Sequence, residues 1–129
     1  MSQLFDKTMG SLSTAINMRL LKQNVINSNI ANAETPGFHA KKLDFEEALK
    51  RALDLSTVLD RNEIDSAVKN VRADIYDNPD VNVSNDGNTV DLEREMASLA
   101  ENTVLYKAAV QLINRKLGTM KYAVTEGGR

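Results

Sequence analysis

Cysteine is absent from this 129-residue chain, which excludes disulfides, thiolate metal sites and cysteine nucleophiles together and leaves the redox compartment open. Tryptophan is absent too, and three Phe and three Tyr supply few of the large side chains that dominate core energetics. The length falls within the usual size of one domain, yet the 42% hydrophobic content is slightly low for a globular protein. Buried surface must therefore come partly from elsewhere. No apolar run approaches the ~18 residues of a membrane span, and Met1 to Asp6 lacks a basic region followed by an apolar stretch. If the protein leaves the cytoplasm, it is expected to do so without a cleaved signal.

The net charge of −2 conceals an asymmetry. Residues 1 to 42 carry five basic and two acidic side chains, residues 43 to 91 carry five and twelve, and residues 92 to 129 carry six and four. The ends are mildly basic and the middle acidic. Positive charge this sparse and dispersed is no nucleic-acid footprint.

In the first zone, residues 1 to 33, apolar side chains recur at Phe5, Met9, Leu12 and Ile16 and again at Ile26, Ile30 and Ala33, in steps of four and three that predict a helix. The same stripe passes through Arg19 and Gln23. These face solvent or a neighbouring helix, or else fix register between packed helices, as a polar residue does in a coiled-coil core. Asn24, Asn27, Asn29 and Asn32 are poor formers of an exposed helix, because their amides compete for backbone hydrogen bonds; they read as contact residues or caps. The helix is expected to stop at Ala33 to Phe38, where Pro36 disfavours helical angles at Thr35 and Pro36-Gly37 suits the centre of a type II turn.

The middle, residues 34 to 90, is irregular. Leu43, Phe45, Leu49, Ala52 and Leu53 predict a short amphipathic helix, with Asp44, Glu46 and Glu47 near its positive end. Residues 54 to 70 are charged and weakly periodic, and mobility is expected there. Val71, Ala73 and Ile75 alternate with polar neighbours before Asn78-Pro79, predicting a short strand, and residues 77 to 91 have the composition of a polar loop.

The third zone, residues 91 to 126, is the most regular. Leu92, Met96, Leu99, Thr103, Tyr106, Val110, Ile113, Leu117, Met120 and Val124 sustain a heptad seam. Asp91 is a good N-cap, with Glu93 and Glu95 at the positive end and Lys116 and Lys121 towards the negative one. About 33 residues at ~1.5 Å each make a helix of roughly 50 Å. Leu20, Leu21 and Val25 on the first helix and Val104, Leu105 and Leu112 on the second fall outside the stripes, so surplus apolar surface is expected for partners.

Motifs for chemistry are weak. Asn82 to Gly87, followed by Glu93, matches an EF-hand loop at its third, fifth, sixth and twelfth positions. Neutral Asn82 in first place, Val90 in ninth and a preceding Asn78-Pro79 argue instead for a turn leading into the cap at Asp91. His39 is the sole histidine, reads as a surface residue and has no second imidazole for a metal site. The pairs Glu46-Glu47 and Glu93 with Glu95 fit helix starts better than acid/base catalysis. No catalytic residue, cofactor, metal site or small-molecule substrate is assigned.

The stretch Asn29-Ile30-Ala31-Asn32-Ala33-Glu34-Thr35-Pro36-Gly37-Phe38 resembles the signature of flagellar axial proteins, the rod and hook subunits. Phe38 stands where tyrosine is commoner. Gly87 to Met96 looks like the start of that family's C-terminal helix, and Asn102 and Tyr106 fit its later pattern. Matches and helices together cover about two thirds of the chain. Leu43-Asp44-Phe45 and Leu117 to Val124 look most like a proximal rod subunit, of which there are two sister kinds.

The resemblance implies a non-enzymatic structural subunit exported through the flagellar type III apparatus and assembled in the periplasmic rod. Its implied partners are other copies of itself, the adapter FliE, the MS ring, FlgC and the other rod proteins. The expected fold is mainly α: long terminal helices pair as an antiparallel coiled coil around an irregular segment holding a short helix and a short strand or hairpin. The expected site residues are the turn signature, Asn29, Asn32, Thr35, Pro36, Gly37 and Phe38, and the assembly seam. That seam comprises Leu12, Ile16, Ile26 and Ile30, with Leu92, Met96, Leu99, Tyr106, Val110, Ile113, Leu117 and Met120. The heptads alone also permit another class, a soluble helical binding module or export chaperone acting as a dimer.

Overall fold

The computed structural model describes residues 2–56, 75–79 and 81–127, with the backbone alone at residues 2–6, 52, 53, 55 and 56. Helix α1 spans Ser2–Ala31, strand β1 Lys41–Leu43, helix α2 Phe45–Ser56, strand β2 Ile75–Asp77 and helix α3 Leu92–Glu126. The chain is mainly helical, with its two long helices packed against each other. They run antiparallel, since Asn29 of α1 meets Glu95 near the start of α3 while Arg19 and Gln23 meet Asn102 further along it.

Helix α1 ends at Ala31, two residues before the expected Ala33. Asn32 lies just beyond this end, and its side-chain amide turns back to donate to the Ser28 carbonyl at 2.8 Å, which also accepts from Asn32 N at 3.2 Å. Leu43, expected to open the second helix, lies in β1. Helix α2 starts after Asp44, whose carbonyl accepts from Ala48 N, and Glu46 and Glu47 fill its first turn beside the positive helix end. Strands β1 and β2 pair antiparallel, with Lys41 opposite Asp77 and Leu43 opposite Ile75. An ion pair joins Lys41 to Asp77, and its hydrogen bond holds the Asp77 carboxyl below the usual range. The expected strand positions Val71 and Ala73, and the stretch 57 to 70, lie outside the described residues.

The apolar core comprises Met18 and Leu21 of α1, Leu43 of β1, and Phe45 and Ala48 of α2, with Leu49 and Ile75 packed against it. It lies beneath the middle segment. Here the structure corrects an expectation: Leu21 and Val25 are not surplus surface but buried, Leu21 because α2 and the hairpin pack on α1 and give it a second partner. Leu20, Val104, Leu105 and Leu112 do remain exposed. No helix among the described residues is long and apolar enough to cross a membrane.

Candidate functional site

The two segments singled out in the sequence, 29–38 and 87–96, meet in space and are sutured together. Asn29, only 1% exposed, uses its whole carboxamide. Its Nδ2 donates to the Lys41 carbonyl at 2.8 Å, and its Oδ1 accepts from Lys41 N at 2.9 Å, so the side chain pairs with β1 as a neighbouring strand would. The same Nδ2 donates to Glu95 Oε1 at 3.1 Å. One asparagine thus joins α1, β1 and α3. Burial raises the Glu95 carboxyl above its ordinary value, opposed by that amide hydrogen bond.

The turn that follows has Phe38 N donating to the Thr35 carbonyl at 3.3 Å and Gly37 at φ 71. Pro36 and Gly37 therefore occupy the two centres of a type II turn, the second of which demands positive φ. Thr35 Oγ1 donates to Asn32 Oδ1 at 3.1 Å, bracing the turn from within. Gly87, at φ 78, lies against it: a Cβ there would stand 3.5 Å from the Gly37 Cα.

Backbone bonds fasten the turn to the loop before α3. Gly37 N donates to the Asp86 carbonyl at 2.9 Å and Thr89 N to the Phe38 carbonyl at 3.0 Å. Asn88 Nδ2 donates to the carbonyls of Asn32 at 2.9 Å and Thr35 at 2.7 Å, while its Oδ1 accepts from Val90 N. Thr89 Oγ1 accepts from Ala40 N at 2.8 Å. Backbone groups that would otherwise be orphaned in the junction are met, and no buried side-chain nitrogen or oxygen among the described residues lacks a partner. The loop compared with an EF-hand closes on itself as a turn: Asp86 accepts from the Ser84 hydroxyl and from Asn88 N, which lowers its pKa, the hydroxyl contributing most. Asp91 caps α3, accepting from Arg94 N.

A second node joins the helices midway. Asn102 is the single buried residue of α3 and donates to the Arg19 carbonyl at 3.0 Å and to Gln23 Oε1 at 3.4 Å. Arg19 Nη1 donates to Asn102 Oδ1 at 3.4 Å, and its guanidinium lies 4.0 Å from the Phe45 ring centroid, a cation–π distance. Burial lowers the Arg19 pKa, against the opposing charges of Glu101 and Glu46. Of the two readings of Arg19 and Gln23, the structure sets both against the neighbouring helix.

Of the seam residues, Ile26 is buried; Leu12, Ile16, Ile30, Leu99, Tyr106, Val110 and Ile113 are half-buried; Leu92, Met96, Leu117 and Met120 are exposed. Besides Ile26, the buried residues of α1 are Thr14, Met18, Leu21, Val25 and Asn29, on a face rotated away from the expected stripe. In the turn signature, Asn32 and Phe38 are half-buried, Thr35, Pro36 and Gly37 exposed. His39 is exposed. Sequence reasoning missed the bonding roles of Asn88, Thr89 and Asn102, all buried. Polar residues in a loop or on a helix read as solvated, and the signal available was their place in the segments that resemble the axial family.

Two long helices, a polar junction at one end and apolar side chains left open along α3 define a class: a helical structural subunit. Comparison with known proteins makes this particular. Residues 9–39 match the family described as Flagella basal body rod protein. The flagellar basal body rod protein FlgB of Bacillus subtilis (strain 168) is 32% identical, covering 96% of this chain and 98% of that protein. FlgB of Cereibacter sphaeroides is 34% identical over 93% of this chain and 95% of its own length, and FlgB of Yersinia enterocolitica 30% over 96% and 100%. The chain belongs to the FlgB family of flagellar basal body rod proteins, structural proteins and not enzymes.

Proposed function

We propose that this rod subunit works mechanically, as part of the proximal rod. Its α1–α3 pair packs beside the pairs of neighbouring subunits to form the inner tube, and buried side chains carry torque from the MS ring towards the distal rod and hook. The middle segment faces outward, at an angle set by the turn signature from Asn29 to Phe38. Other copies of the chain, FliE, the MS ring and FlgC are its neighbours, and it reaches the periplasm through the type III export apparatus.

The observation that supports this reading best is the surface of α3. Leu92, Met96, Val104, Leu112, Leu117, Met120 and Val124 are all exposed on a single 35-residue helix. Apolar exposure on that scale marks an interaction surface, and a non-closing contact between copies builds an axial assembly. The test is to delete the gene, inspect purified basal bodies by electron microscopy and restore the protein with a tag in the middle segment. Rod loss on deletion, with label at the rod base on restoration, is the expected result. Intact rods without label would overturn it in favour of a soluble helical binding module.

A further inference from the structure

Each long helix carries a row of residues that the subunit's own packing leaves open. On α1 the row is Gly10, Ser13, Asn17, Leu20, Asn24 and Asn27, of which Gly10 is half-buried and the rest exposed. It lies about a third of a turn from Arg19 and Gln23, which face α3. The side chains of Asn17, Asn24 and Asn27 bond none of the described residues, although asparagine is a poor choice for an exposed helix that asks nothing of its amide. The whole row falls within residues 9–39, the segment that matches the rod family. On α3 the row is Glu101, Val104, Ala108, Gln111, Arg115 and Gly118, all exposed and nearly half a turn from the buried Asn102.

Both rows advance in steps of three and four, so a single antiparallel register sets them side by side. Gly10 then stands opposite Gly118, Ser13 opposite Arg115, Asn17 opposite Gln111, Leu20 opposite Ala108, Asn24 opposite Val104 and Asn27 opposite Glu101. The chemistry matches along the row. A serine hydroxyl accepts from a guanidinium, two carboxamides exchange hydrogen bonds, and an asparagine amide donates to a carboxylate, while Leu20 seats over the small Ala108. The two glycines explain each other. A Cβ at Gly10 or at Gly118 would meet nothing within 4 Å in the subunit, and glycine weakens a helix interior, so the isolated fold gives neither a reason; face to face, they let two backbones come close. We propose that the row on α1 of one copy docks on the row on α3 of the next. The antiparallel sense is that of the helix pair within each chain, and it holds wherever successive copies point the same way. Each copy carries both rows, so the contact does not close and can repeat. The inference rests on the rod reading above and names the two faces and their register.

Cross-linking in basal bodies purified from a strain that carries only the altered gene tests it. The chain has no cysteine, so the double variant Leu20→Cys with Ala108→Cys should form, on oxidation, disulfides between copies, read as bands of two or more chains. Leu20→Cys with Arg115→Cys should not, since position 115 lies roughly 10 Å further along the helix, beyond disulfide reach. Gly118→Leu, placed in open space in the lone subunit, should leave its melting temperature unchanged or raised and abolish its recovery in basal bodies. Basal bodies that contain the 20 and 108 variant without cross-linked bands would overturn the proposal, as would equal cross-linking of 20 with 115 or normal recovery of Gly118→Leu. Absence of the unaltered, tagged protein from basal bodies is a separate readout: it would overturn the rod reading itself, and this inference with it.

Discussion

Helix α1 and helix α3 are similar in length, 30 and 35 residues, and differ in what they bury. Around Met18 and Leu21 the chain closes over α1 with the hairpin and α2, and the interior is apolar. Along α3 the enclosed position is an asparagine, and large apolar side chains face outward, Val124 with 72% of its surface exposed and Val104 with 66%. The difference separates two tasks. Apolar burial on α1 stabilises the folded subunit, whereas α3 meets α1 through Asn102 and a half-buried face and keeps large apolar side chains exposed.

The largest effect expected within the isolated chain is therefore at Met18. Truncation by Met18→Ala should lower unfolding stability by about 2 to 5 kcal/mol. Met96→Ala, at a residue 57% exposed on α3, should stay within about 0.5 kcal/mol. Chemical denaturation of both variants measures the contrast, and equal losses would break it. Leu99, Val110, Ile113 and Leu117 sharpen the same point. Half-buried or exposed in the single chain, their alanine variants should cost little stability in the monomer and much more in rod assembly and motility.

The junction comes next. Asn88→Ala would strip the Asn32 and Thr35 carbonyls and Val90 N of a buried partner, at about 1 to 3 kcal/mol. Gly37→Val, forced to φ 71, should cost a similar ~1 to 3 kcal/mol and misdirect the middle segment. Thermal melts of the two variants check both losses.

The smallest effect expected is that of Glu95. Its folded-state pKa is raised by burial, so the folded protein binds this proton more tightly than the unfolded chain does. Stability then falls as pH rises through the window just above the ordinary carboxylate range. Glu95→Gln keeps an oxygen acceptor for Asn29 and removes the titration. Its melting temperature relative to the unaltered chain should rise between about pH 4 and pH 7; a constant difference would show that Glu95 does not couple to folding.

Much of the architecture was legible in the residues. Pro36-Gly37 specified a turn through steric rules that hold in any context, Asp91 announced a helix start, and the spacing from Leu92 to Val124 indicated a long helix. The buried face of α1 was not legible. Apolar residues lie on several sides of that helix, and of the stripe Leu12, Ile16, Ile26 and Ile30 only Ile26 is buried, whereas Met18 and Leu21 are enclosed because α2 and the hairpin cover them. Buried polar residues were less visible still. Asn29 and Asn102 lie off the apolar stripes, and although Asn29 reads as a contact residue or cap, nothing local reveals that Lys41 and Glu95 meet it or that Arg19 and Gln23 meet Asn102.

The absence of cysteine permits the most direct test of the central contrast. A single thiol placed by Leu112→Cys on the exposed side of α3, and another by Val83→Cys in the loop before it, can each be titrated with a maleimide in the free chain and in purified basal bodies. Both should react in the free chain, since both positions are open. In basal bodies the thiol at 112 should be protected while that at 83 still reacts; a thiol at 112 that labels as fast in rods as in the monomer would contradict the account.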